Sequence, residues 1–304
     1  MQVRAPIALV TAVSAALGLA ACGGGSGPAA VQVSTSPTIA APSSDALDTV
    51  QAALAATTGT TADVDLALLP AQVFGQRQAP VLGSGTFDFA SAEGRAQLEQ
   101  PGGVETVLFL PAAVFVRQAS GPTILPKGKE WVSAGLTEDA LASNFPQFVV
   151  QTEALNPVFL FQQVAWGALD AAPLGTTTIA GTAADGYLVT VDLARAAADA
   201  SGPAAAAFAR AVGFQLGSLG GSSASSPSPT TASVRLWVDR AGGRVVRYQA
   251  TPPGSGAGTI TVTVTRYGSS VHVQAPTRAT VADIASLSPG GEHENGGSGD
   301  TDAA

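Results

Sequence analysis

Thr259-Ile260-Thr261-Val262-Thr263-Val264-Thr265 sets a hydroxyl against a branched apolar side chain at every step. Successive side chains of a strand point to opposite faces, so this stretch predicts one wet and one buried face. Working outward, the same alternation recurs. Val234 to Val238 and Val245 to Tyr248 flank Asp239-Arg240-Ala241-Gly242-Gly243, a hairpin pattern. Val271-His272-Val273 follows Tyr267-Gly268 and predicts one more strand. Ile179 and Tyr187 to Val191 flank Ala184-Asp185-Gly186, which has the chemistry of a turn. Val107 to Leu110 and Val114 to Val116 flank Pro111-Ala112-Ala113. Val64, Leu66 and Leu68 alternate with Asp63, Asp65 and Ala67, and Phe87 and Phe89 with Thr86 and Asp88. Strands joined by short turns imply an antiparallel sheet, and a sheet of this many strands curls.

Three helical stretches interrupt the strands. Asp45 to Thr57 places Leu47, Val50 and Leu54 on one face, with Ser44 and Asp45 suited to a helix N-terminus. Asn156-Pro157 reads as a cap followed by proline in the first turn, with Val158, Phe161, Ala165 and Leu169 as the apolar stripe. Ala194 to Phe214 is alanine-rich, but Gly202-Pro203 breaks it in two. The fold class is therefore α+β.

The ends differ from this body. Arg4, a chargeless stretch from Ala5 to Leu17, and Leu19-Ala20-Ala21-Cys22 resemble a bacterial lipoprotein signal, with small residues before the cysteine. Residues 1–21 are then a cleaved leader, and Cys22 becomes the new N-terminus, carrying diacylglycerol by a thioether. Cys22 is the only cysteine in the chain, so no intramolecular disulfide or cysteine-based metal site is available. Residues 22–44 are rich in Gly, Ser, Pro, Thr and Ala and read as a flexible tether. Residues 45–287 form the folded domain, interrupted by a Gly/Ser/Pro insertion at 217–231, and 288–304 is an acidic tail of the tether kind. The address is the outer, extracytoplasmic face of a membrane.

A formal charge of −8, with Lys127 and Lys129 as the only lysines, excludes a nucleic-acid partner, which needs clustered cations. An acidic body does not dock on anionic head groups either, so the acyl anchor holds the protein at the membrane.

Residues able to run a reaction are scarce. Of two histidines, His272 sits in the V-H-V stretch and His293 in the tail, and neither has the i, i+4 partner of a zinc-protease helix. A Ser-His-Asp triad could recruit only His272, and no G-x-S-x-G elbow supplies its serine. Glu292-His293-Glu294 reads as solvated. Asp63 and Asp65 share one outward strand face, a solvated pattern rather than a glycosidase pair, and Glu138-Asp139 suits a helix N-terminus. The glycine-rich stretches lack the Lys-Ser/Thr of a phosphate loop. The reading is of a protein that is not an enzyme, with no metal and no cofactor.

Aromatic placement is more informative. Phe87, Phe89, Phe109 and Phe115 fall on strands, and Phe159, Phe161 and Trp166 on a helix between strands. They read either as ordinary core or as the lining of an apolar cavity between a curved sheet and its covering helix. Periodicity does not separate these two. In the cavity reading Leu66, Phe87, Phe89, Phe109 and Phe115 of the strands meet Phe161 and Trp166 of the helix.

The order of elements, with certain stretches, resembles the actinobacterial LppX/LprG-type lipoproteins, which share the fold of the lipoprotein carriers LolA and LolB. The stretches are Ser84 to Gln97, Lys129-Glu130-Trp131-Val132, Ile179-Ala180-Gly181-Thr182 running to Leu193, Leu236-Trp237-Val238-Asp239, and Tyr267-Gly268 to Pro276. The resemblance covers roughly 45–287. It implies a curved antiparallel half-barrel whose concave face is covered by helices around an apolar cavity. It also implies a hydrophobic lipid ligand, acylated glycolipid or triacylglycerol, carried across the envelope, and a membrane transporter as a possible further partner. The function expected is a membrane-anchored lipoprotein that binds or carries acylated lipids. The alternative is a ligand-free surface or interaction module of the same fold.

Overall fold

The computed structural model describes residues 40–69, 72–73, 76–77, 80–100, 103–118, 125–134, 156–219, 230–251 and 258–283. The leader with Cys22, most of the tether, Glu138-Asp139, the centre of the insertion and the acidic tail lie outside the described residues.

The chain begins with helix α1 (Ser44–Thr58), then β1 (Thr61–Leu69) and the small hairpin β2 (Gln72–Val73) and β3 (Gln76–Arg77). A run of strands follows: β4 (Val81–Asp88), β5 (Glu93–Gln100), β6 (Gly103–Leu110), β7 (Ala113–Gln118) and β8 (Trp131–Ala134). Helix α2 (Pro157–Gly167) leads into β9 (Ala168–Ile179) and β10 (Thr182–Asp192), followed by α3 (Leu193–Ala198) and α4 (Ala205–Leu219). The chain then forms β11 (Thr231–Asp239), β12 (Val245–Ala250), β13 (Thr259–Tyr267) and β14 (Val281–Asp283).

Apart from the small hairpin, these strands make one 12-stranded sheet in the order β14-β8-β7-β6-β5-β4-β1-β13-β12-β11-β10-β9. All its pairs are antiparallel except β14 with β8. The sheet is open and curved, and the α+β expectation holds. Val50 and Leu54 of α1, Val158 and Phe161 of α2, and Phe208 and Val212 of α4 join the inward residues of the strands in one hydrophobic core. The helices therefore lie on the concave face.

Local signals explain most boundaries. The Ser43 hydroxyl, one residue before the expected cap, accepts from Ala46 N at 3.2 Å and starts α1. Asn156 Oδ1 accepts from Val158 N at 3.1 Å, with Pro157 in the first turn. The break at Gly202-Pro203 separates α3 from α4. Thr57 closes α1 onto the sheet: its hydroxyl donates to Ala53 O at 2.7 Å and accepts from Val245 N at 3.0 Å, while Tyr267 donates its hydroxyl to Val245 O. This network satisfies polar groups that burial would otherwise leave costly.

Four expectations are corrected. Leu169 is not on the stripe of α2 but on β9, 42% exposed, because the helix ends at Gly167. That glycine abuts β10, where a Cβ would lie 2.5 Å from the Asp192 carbonyl. The hairpin before Tyr187 turns at Ala180-Gly181, both with positive φ (47° and 86°), the geometry of a two-residue turn. Ala184-Asp185-Gly186 instead continues β10, where Asp185 accepts from the Thr176 hydroxyl of β9 at 2.7 Å. Val271-His272-Val273 forms no strand and pairs with no described strand. The insertion is narrower than 217–231, since α4 runs to Leu219 and β11 begins at Thr231.

Candidate functional site

The register places three rows of side chains across the concave face. One row runs Val264, Val64, Gly85, Ala96, Val107, Val116 and Val132, all small. On one side of it lies Ala62, Phe87, Gly94, Phe109 and Val114. On the other lies Val262, Leu66, Gly83, Leu98 and Glu105, the last a buried carboxylate in an otherwise apolar surface.

The glycines decide the shape of this surface. A Cβ on Gly94 would lie 2.1 Å from Cδ1 and 2.5 Å from Cε1 of Phe87, and one on Gly85 would lie 2.8 Å from Cε2 of the same ring. A Cβ on Gly83 would lie 2.7 Å from Cδ2 of Leu98. The Phe87 ring and the Leu98 side chain are thus laid flat over bare backbone instead of standing up from the sheet. Side chains of strands ordinarily stand roughly perpendicular to it. Here Phe87 and Leu98 lie over glycines of the neighbouring strands, and the concave face of β1 and β4–β7 is a floor that is apolar apart from Glu105.

Phe89 follows β4 in the turn to β5 and stacks on Phe161 of α2, with centroids 5.2 Å apart. Phe161 is fully buried and also contacts Tyr248 at 6.1 Å, while Phe87 meets Phe109 at 5.4 Å. Burial pushes the Tyr248 hydroxyl well above the usual tyrosine range. Two polar atoms adjoin the Phe89–Phe161 stack in sequence, Ser91 Oγ and Gln162 Oε1. Both are buried and without a hydrogen-bond partner.

Five of the seven cavity residues read from sequence therefore belong together: Leu66, Phe87, Phe89, Phe109 and Phe161 sit in one core. Trp166 joins its margin, packing edge-on against Phe208 at 4.9 Å beside Phe159. Phe115 does not belong. It pairs with Leu108 on the outer face, while its neighbours Val114 and Val116 take the inner one. The sequence reading missed Gly83, Gly85, Gly94 and Leu98. The available signal was the i, i+2 spacing of Gly83, Gly85 and Phe87, which puts two bare positions beside one ring.

His272 lines a groove on the outer face together with Ser84, Asp63 and Asp65, but hydrogen-bonds to none of them. A triad depends on those bonds. Among the described residues no three His, Cys, Asp or Glu side chains are grouped to hold a metal. No described helix is long and apolar enough to cross a membrane.

No protein-family model matches the chain, and no curated protein matches it. Solved structures similar to it include that of LprF from Mycobacterium bovis, 15% identical over 77% of this chain and 98% of that one, with a TM-score of 0.42. The lipoprotein LppX from Mycobacterium tuberculosis is 12% identical over 76% of this chain and 98% of that one, with a TM-score of 0.44. A LolA-superfamily protein from Nitrosomonas europaea is 8% identical over 77% and 96%, with a TM-score of 0.26.

Proposed function

We propose that this is a lipid-anchored protein of the extracytoplasmic membrane face that holds the acyl chains of a lipid against its concave sheet surface. The observation that carries this reading is the flattened floor. A core that only had to be filled gains from tall side chains that interdigitate with the layer above. A surface that must receive a sliding hydrocarbon gains from low ones, and glycines under Phe87 and Leu98 produce that. Each methylene transferred from water to such a surface contributes about 0.8 kcal/mol, so a single long acyl chain suffices for tight retention. The unpartnered Ser91 Oγ and Gln162 Oε1 support the same reading, since the serine hydroxyl can donate to a lipid ester and the glutamine oxygen can accept from a lipid hydroxyl. Anchoring belongs to Cys22, whose acylation after cleavage tethers the domain to its source of lipid.

A second reading rests on the direct ring contacts of Phe89, Phe161 and Tyr248, which fill their corner with side chains. In that reading the fold is a ligand-free surface module. Mass spectrometry of organic extracts separates the two. Protein purified from its native host carries acyl lipid in near-stoichiometric amount if the concave face is a binding surface. Protein with no extractable lipid overturns the carrier reading.

A further inference from the structure

The outer face of the sheet carries a groove with chemistry opposite to that of the floor. After β13 the chain turns at Gly268 (φ +79°) and leaves the ladder. It rejoins the sheet only at β14, beside β8. The two strands stand seven places apart in the sheet order, roughly 33 Å at the usual strand spacing. The connecting segment crosses the outer face as a strap. Its start is fixed by the Asp63–Arg266 ion pair at 2.7 Å, with Arg266 Nε also donating to Ser269 Oγ at 3.1 Å. Burial raises the Asp63 pKa, but hydrogen bonds from Ser269, Thr86 and Arg266 outweigh it and hold the carboxyl below its ordinary value.

Between strap and sheet lies a groove of about 490 Å³, walled by Ser270 to Val273 and floored by β1, β4 and β5. This is the size of a small-molecule site. The register lines up Asp65, Ser84 and Gln97 on neighbouring strands, with Arg95 two residues farther along β5. Among the described residues none of these four side chains has a hydrogen-bond or ion-pair partner. Arg266, the other cation of the groove, is already neutralised by Asp63.

What remains along this row is an acceptor-only carboxylate, a donor-only guanidinium, and a hydroxyl and an amide that do both, with the imidazole of His272, likewise unpartnered among the described residues, lining the same groove. Their formal charges sum to zero, so the row as a whole carries no net charge. The Cα atoms of Asp65 and Arg95 are two strands and two residues apart, about 12 Å, so a ligand that spans the whole row is extended rather than compact. A chain of hydroxyls that donate and accept in turn matches the row, and the half-buried Val271 and Val273 offer apolar edges for ring C–H groups.

We propose that this groove binds a neutral, polyhydroxylated ligand of at least two sugar units, either a free glycan or the head group of a glycolipid. The site is independent of acyl binding on the concave face.

The test uses the full chain in a sugar-free detergent, titrated calorimetrically with neutral tetraoses of glucose, mannose, galactose and arabinose. Saturable binding with a Kd near ~1 mM to at least one of them is expected. Arg95→Ala and Asp65→Asn, both exposed substitutions, each weaken it about tenfold, whereas Ser233→Ala in the neighbouring outer groove leaves it unchanged. No saturable binding across the panel, or equal affinity in all variants, overturns the proposal. So does a response to inorganic phosphate or glycine that exceeds the response to every tetraose. Phosphatidylcholine vesicles with and without digalactosyl diacylglycerol distinguish the sources. Retention on the glycolipid vesicles that a free tetraose competes away assigns the head group, and tetraose binding without such retention assigns a free glycan. Because the Cys22 acyl anchor holds the chain on any vesicle, the readout is the excess of retention on glycolipid over plain phosphatidylcholine vesicles, and an excess that survives Arg95→Ala overturns the groove.

Discussion

Gly94→Ala tests the flattened floor with a single methyl group. Gly94 does not occupy the left-handed region, so alanine is allowed by the backbone. In a compatible conformation Gly→Ala stabilises by about 0.4–1 kcal/mol through the unfolded chain. Here the new Cβ would stand 2.1 Å from Phe87 Cδ1 and 2.8 Å from Cγ. Carbon atoms prefer about 3.5–4.0 Å, so the ring must retreat by roughly 1.5 Å. It cannot do so freely, because Phe109 stands with its centroid 5.4 Å away. Overpacking of this kind costs about 1–3 kcal/mol, leaving a net loss of about 1–2 kcal/mol. In a domain of this size that lowers Tm by roughly 2–8 °C. Urea denaturation of lipid-free protein should show a lower midpoint at unchanged slope. The decisive comparison is Gly94→Ala in a Phe87→Ala background. With the ring gone, the same methyl should stabilise by about 0.4–1 kcal/mol, reversing its sign. A Gly94→Ala single variant as stable as the parent, or more so, would refute the claim that the ring lies on bare backbone.

Three further outcomes are expected. Cys22→Ala leaves the chain either unprocessed or soluble. A processed variant that stays with membranes through an alkaline wash would show that the anchor lies elsewhere. Phe161→Ala, at a fully buried ring stacked on Phe89 and touching Tyr248, lowers stability by about 3–5 kcal/mol in urea melts, and a loss below about 1 kcal/mol would mean that the ring faces open space. Stability also falls in alkali. Burial pushes the Tyr267 hydroxyl up to about 12 and that of Tyr248 higher, so the folded state keeps both protons where the unfolded chain, near 10, releases them. Stability is complete below about pH 10 and then declines by about 1.4 kcal/mol per pH unit for each tyrosine until its folded pKa is passed. Urea midpoints between about pH 9 and 11 check this, and Tyr248→Phe should remove its share of the slope, leaving the shares of Tyr267 and of Tyr187, whose hydroxyl burial also raises.

Much of the scaffold was legible because it is written in local rules. The T-I-T-V-T-V-T alternation of β13, the Asn156-Pro157 start of α2 and the Gly202-Pro203 break each involve residues within a turn or two of one another. Errors arose where two local signals competed. Ala184-Asp185-Gly186 has turn chemistry, yet Ala180-Gly181 takes the turn, since only there do two consecutive residues adopt positive φ. Val271-His272-Val273 has strand alternation, yet alternation does not create a partner, and the segment runs as a strap.

The candidate site was less legible than the fold, for a definite reason. A period of two says which residues share a face but not which face the helices cover. Phe115 and its neighbours Val114 and Val116 fit either assignment, and weight of aromatic surface pointed the wrong way. The match of Gly94 to the ring of Phe87 depends on register between β4 and β5. The groove depends on the strap crossing strands far from it in sequence. By itself, then, the sequence determined the strands, the helix starts and the sole cysteine after its run of small residues, all set by neighbours along the chain. Only the tertiary structure decided which face is concave, which aromatic rings lie on it and how low they lie. Those properties arise from residues made adjacent by hydrogen-bonded register and by packing between layers, and neither adjacency is encoded at a fixed spacing.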